Sequence, residues 1–257
     1  SGTEFDQLMA KSKEMGASTK FTATESAEAF NYMAMAGWKT KGMLDGIGGI
    51  MSLAAASNED LGTTSDIVTD ALTAFGMKSS EAGHFADVLA QAASNSNTDV
   101  GMMGETFKYV GTMAGALGYS IEDVSLAAGL MANTGLKAGM AGTSLNAVFT
   151  RLSTNTDGAA DAIRDLGVEF FNADGSARKW SSVMSELRTA TADYSSQQKT
   201  NLANTVAGME AQKGLLAILN ATEDDYNKIA EAVNHADGAS QRMADTMQDN
   251  LAGAMTR

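Results

Sequence analysis

Cysteine is absent from this 257-residue chain, which excludes disulfides and thiolate metal sites. Proline is absent too, so no helix is ended or kinked by its ring, and the punctuation falls to 26 glycines. His84 and His235 are the whole imidazole supply and stand about 150 residues apart. A zinc site would have to join them to carboxylates from elsewhere, and neither a metal nor a cofactor site is expected. Basic side chains are few, 18 against 31 acidic ones, giving a net charge of −13. Such a surface repels phosphate backbones, no basic stripe overrides it, and direct nucleic-acid binding is not expected. Long apolar runs are missing as well. The stretch "GMLDGIGGIMSLAAA", 42–56, falls short of the roughly 20 residues a membrane span needs and carries Asp45.

Catalytic signatures are also missing. There is no G-x-S-x-G, no H-E-x-x-H, no phosphate-binding P-loop, and no dinucleotide glycine fingerprint after a strand. Adjacent carboxylates such as Glu59–Asp60 and Asp224–Asp225 sit where helices begin, facing the positive end of a helix dipole. No catalytic residue is assigned. The acid–nucleophile pair of a glycosidase has no sequence signature, so at this point a lytic activity stays open.

What is present is helical. The chain is 44% hydrophobic and 19% charged, as in a globular protein long enough for one large domain or two ordinary ones. In 98–117, Val100, Met103, Phe107, Val110, Ala114 and Leu117 recur at spacings of three and four, and Ile67, Ala71, Leu72 and Phe75 do so in 63–76. Thr22 with Glu25, and Ser120 with Asp123, have the spacing of a reciprocal N-cap. Gly76 and Gly118 follow apolar runs where a left-handed C-cap residue belongs. Aligning Glu25, Glu81 and Asp123 superposes Ala34, Ala90 and Ala132, a faint repeat with offsets of 56 and 42 residues. Recurrent small residues and caps in any helical domain would produce the same pattern.

One segment breaks the rhythm. "VEFFNADGSARKW", 168–180, sets β-branched and aromatic residues around Asp174-Gly175, which predicts a β-hairpin. A calcium loop would need ligands where Phe170 and Ser181 stand. The expectation is therefore a mainly all-α fold, an array of short packed helices with one small β-hairpin. It divides into a helical block at 1–166, a hairpin insertion at 167–181 and a second helical block at 182–257. The last stretch, "MQDNLAGAMTR", lies inside a helical pattern with no stop signal, and Ser1-Gly2 has the look of a cloning scar. The chain reads as a piece of a longer protein.

The glycines need a reason, because each one inside a helix costs roughly 0.5–1 kcal/mol relative to alanine. Gly42 and Gly46 have the spacing that lets helices approach closely. Seventeen methionines add adaptable packing. Close helix contact, or a domain that must be remodelled, accounts for both.

"AAASNEDLGTTSDIVTDALTAFGM", "FADVLAQAASNSNTDVGMMGETFKYVG", "LMANTGLKAGMAGTSLNAVFTRLS", "LGVEFFNADG" and the closing "ADGASQRMADTMQDNLAGAM" resemble, in order, the core region of phage tail tape measure proteins. The likeness runs from about Phe21 to Leu251. It departs at Thr112, where relatives often have proline. It implies a structural virion protein without enzymatic activity or catalytic residues in this region. Such a protein occupies the tail lumen, after assembly in the host cytoplasm, and acts in tail assembly, length determination and DNA ejection. The implied partners are tail tube protein, tail-tip proteins, assembly chaperones and further copies of the chain, with membrane contact confined to ejection. A helical scaffold module unrelated to phage, and a peptidoglycan-cleaving enzyme, are the readings it competes with.

Overall fold

The computed structural model describes residues 2–255, with side chains through Asn250. Local signals start and stop the helices. Thr22 and Glu25 form the reciprocal cap, Glu25 N donating to Thr22 Oγ1 at 3.1 Å and Thr22 N to Glu25 Oε2 at 2.7 Å. Asp60, Asp99, Ser120, Ser195 and Thr222 each accept the backbone N–H three residues on. Gly76 and Gly118 take left-handed φ values of 67° and 73° just past their apolar runs.

The helices of the first part are α1 (Gly2–Ser18), α2 (Ala23–Met35), α3 (Thr40–Ser57), α4 (Leu61–Phe75), α5 (Ala82–Asn95), α6 (Val100–Ala116), α7 (Ile121–Asn133) and α8 (Ala138–Thr154). After them come α9 (Ala159–Arg164), α10 (Trp180–Ala190), α11 (Ser196–Ala207), α12 (Gln212–Leu219), α13 (Glu223–Asn234) and α14 (Ala239–Met255). The chain zigzags between two rows. α2, α4, α6 and α8 lie side by side in one, and α3, α5 and α7 in the other. α1 packs on α2, α9 and α11 on α8, and α12 on α7 and α8, while α13 and α14 lie across the second row. One continuous cluster of buried apolar side chains extends from Phe21 to Ala244.

The two offsets of the faint repeat differ by about one helix, and that helix is α4. From α5–α6 to α7–α8 each helix keeps its row. α2, ahead of the intervening α4, falls in the opposite row from α5.

Close contact is where the glycines are used. A Cβ on Gly49 of α3 would lie 2.6 Å from Gly83 Cα of α5. One on Gly115 of α6 would strike the Ala74 carbonyl of α4, and one on Gly142 of α8 the Thr106 carbonyl of α6. Side chains there would push the helices apart. At Gly42 and Gly46 the near atoms are instead the Ser79 and Trp38 side chains.

The expected hairpin at 168–180 does not form. A single antiparallel bridge joins Phe171 and Ala177, and among the described residues no strand is present. The Asp174-Gly175 turn does close, with Asn172 N donating to Ser176 O at 2.8 Å and Arg178 N to Phe170 O at 2.9 Å. The ladder has no room to grow. Val168 N is already bonded to Ile163 O behind α9, and Lys179 is the N-cap of α10. Phe170 packs with Tyr119 in the core, at a centroid distance of 6.4 Å.

The cap at Ser120 is only half of the expected pair. Ser120 Oγ accepts from Asp123 N at 3.2 Å, but the Asp123 carboxylate turns away. It accepts from Ser181 N at 2.9 Å and Trp180 N at 3.2 Å, capping α10 across 57 residues of chain. Asp87 of α5 does the same for α14, accepting from Gly238 N at 2.7 Å and Ser240 N at 2.9 Å. Arg151 of α8 donates to the Val206 and Thr205 carbonyls at the end of α11. Charged side chains of the first row-pair thus hold the helix ends of the later segment.

Candidate interaction surface

An open groove of about 790 Å³ lies between α6, the start of α8 and the turn before α12. Its shape follows from three glycines. Gly142 brings α8 against the α6 backbone. Gly139 then leaves the Tyr109 ring just room to lie across α8, since a Cβ there would be 3.0 Å from the ring. Gly208 turns the chain out of α11 with φ 80° and throws Met209 into solvent.

Tyr109, Met140 and Met209 are 52%, 62% and 74% exposed, three large apolar side chains along one groove. At its edge Ala138 holds φ 53°, a left-handed conformation costly for any residue with a Cβ. Its carbonyl accepts from the buried Thr106 hydroxyl at 3.1 Å. Strain of this kind, on the order of 1–3 kcal/mol, tends to be kept where a surface has work to do. Lys137 and Lys213 also line the groove, beside Glu210. Among the described residues neither lysine forms an ion pair, in a chain with a large acidic excess.

The residues that chemistry would have used are elsewhere and occupied. His84 Nε2 lies 2.7 Å from Glu122 Oε1, with Asp237 at 3.8 Å from Nδ1, while the His235 ring faces its own helix at the Glu231 carbonyl. Asp60 caps α4. The Thr63 hydroxyl and then its N–H hold the Asp60 carboxyl below the usual range. Asp224 and Asp225 lie in the first turn of α13. Asp174 accepts from Ser176 Oγ and then Ser176 N, which lower its pKa as they close the turn. The Tyr119 hydroxyl is buried among Phe149, Phe170 and Trp180, and burial drives its pKa far up. Among the described residues no group of three or more His, Asp or Glu side chains is placed to hold a metal ion. No helix there is long and apolar enough to cross a membrane.

Sequence reading passed over the groove residues, although a signal was there. Tyr109 and Met140 are large apolar residues lying off the buried stripes of α6 and α8.

The sequence pattern of phage-related minor tail proteins matches residues 9–208. The chain belongs to the phage-related minor tail protein family. Within it, the chain is 34% identical to the "Tape measure protein" of Pneumococcus phage Dp-1 over 249 residues, 97% of this chain and 22% of that protein. It is 24% identical to the "Probable tape measure protein" of Escherichia phage P2 over 253 residues, 97% of this chain and 31% of that protein. The chain therefore spans about a fifth to a third of the length of these two proteins. No solved structure matches it.

Proposed function

We propose that the chain is the folded docking part of a tail tape measure protein, a structural and non-catalytic component of the virion tail. In this reading it acts in tail assembly and DNA ejection while longer helical regions of the full protein set the length. It lies in the tail lumen after assembly in the host cytoplasm, against tail tube and tip proteins, assembly chaperones and other copies of the chain. The blocks at 1–166 and 182–257 work as one unit joined through the loop at 167–181.

The observation that carries this is the folding back of the chain. As one straight helix 257 residues would span about 385 Å, whereas the longest helix among the described residues, 18 residues, spans about 27 Å. A folded-back array adds little length per residue and offers faces to partners. In phage, deleting α6 from the full-length protein should abolish tail assembly, because it uncovers the α4 and α8 faces. Removing as many residues from a long helical region outside this unit should shorten the tails. Viable phage with tails shortened in proportion to deletions inside 21–251 would overturn the proposal.

A further inference from the structure

We propose that the groove between α6, α8 and α12 binds the first two turns of α1 from a second copy of the chain. Phe5, Leu8, Ser12 and Met15 fall on one face of α1 at spacings of three and four. Ser12 is buried and Leu8 and Met15 pack against the core, yet Phe5 is 64% exposed and Met9 beside it 38%. The apolar stripe of α1 thus continues past the body that covers it. α1 packs on α2 and α3, whereas the groove is built by other helices. Phe5 would have to leave its own helix's seat to reach its own groove.

Charge matches the two surfaces. In the first two turns of α1 the exposed Asp6 is acidic, and the next charged side chain along the helix is Lys11. The groove is lined by Lys137, Lys213 and Glu210, so its rim is net positive. Methionine and tyrosine suit such a site, since they mould to an inserted aromatic ring at low entropic cost. The contact is heterologous, one surface meeting a different one, so it propagates into a ring or a filament and does not stop at a two-fold dimer. The inference rests on the proposal that copies of the chain associate. It is tested on purified protein, so it can fail while the tail-assembly reading stands.

The 257-residue chain, Phe5→Glu and Met140→Glu are to be measured by light scattering and sedimentation over a concentration series, with circular dichroism confirming the fold. Both substituted positions are exposed. The unaltered chain should form assemblies larger than dimers, and each variant should associate roughly thirtyfold or more weakly, as when an interface hot spot is lost. Mixing the variants should restore a 1:1 heterodimer and nothing larger, because one supplies an intact groove and the other an intact α1. Three results would each overturn the inference. The unaltered chain could remain monomeric up to about 1 mM. Either variant could associate like the unaltered chain. The mixture could stay monomeric.

Discussion

Replacing Asp123 by alanine should destabilise the protein far more than an ordinary helix-cap loss. Asp123 is buried, and its carboxylate is the acceptor for two N–H groups of another helix, at 2.9 and 3.2 Å. Loss of an N-cap costs about 1–2 kcal/mol. Leaving a buried N–H without a partner costs about 1–3 kcal/mol, and Trp180 is fully buried. The two overlap, and together they give about 2–4 kcal/mol. For a chain of this size that lowers Tm by about 5–12 °C. Trp180 packs edge-on to Phe149 at 5.1 Å and near Tyr119 at 6.2 Å, so near-ultraviolet circular dichroism should weaken with the same variant. Asp123→Asn keeps one oxygen acceptor and should lose about half as much. Thermal melts of the two variants beside Ser120→Ala, a single local cap worth about 1 kcal/mol, separate the contributions. A Tm for Asp123→Ala within about 2 °C of the unaltered protein would mean that the long-range cap contributes nothing, and the reasoning would be wrong.

Gly48 and Gly49 should respond to alanine with opposite signs. Gly48 has open space and should gain about 0.5–1 kcal/mol, while a Cβ at Gly49 meets Gly83 and should cost about 1–3 kcal/mol; denaturant melts giving the same sign for both would refute this. Asp87→Ala should raise amide exchange throughout α14 while leaving α4 and α6 protected, and protection unchanged in α14 would count against its anchoring role. Glu25 is held below the usual carboxylate range by the Thr22 N–H and hydroxyl, Asp60 by Thr63, and Glu186 by Arg178. Their folded values are depressed, so their stabilisation is present above about pH 4.5 and is lost as pH falls through those lowered values. Asp70, raised by burial and by Asp66, opposes this weakly. The acid limb of a Tm–pH profile should therefore flatten in a Glu25→Gln, Asp60→Asn double variant, and an unchanged limb would contradict the assignment. Calcium should leave Tm unmoved and the protein should not clear peptidoglycan, whereas a calcium shift lost in Asp174→Ala, or a clearing band on a cell-wall gel, would show a chemistry missed here.

Features settled within one or two helical turns were legible along the chain. Thr22 and Glu25 lie three residues apart, so their reciprocal cap forms wherever the helix ends up. Gly76 and Gly118 stop their helices because a left-handed residue strains any side chain, and the spacing from Val100 to Ala114 marks the buried face of α6 whatever covers it. Outcomes that turn on which groups compete depended on long-range packing. Asp123 is a local capping partner by spacing, yet two N–H groups of α10, nearly 60 residues away, outbid the N–H of Ser120 for its carboxylate. The turn at Asp174-Gly175 is legible, but strand pairing on either side of it lost to the helices that claim Val168 and Lys179. Glycine-rich helices announced close packing without saying where. Gly49 meets Gly83, and Gly142 meets Thr106, only because the chain zigzags between two rows, and no local spacing encodes which helices become neighbours. The groove was least legible of all, because its apolar side chains come from α6, α8 and the turn before α12, and only their juxtaposition leaves them exposed together.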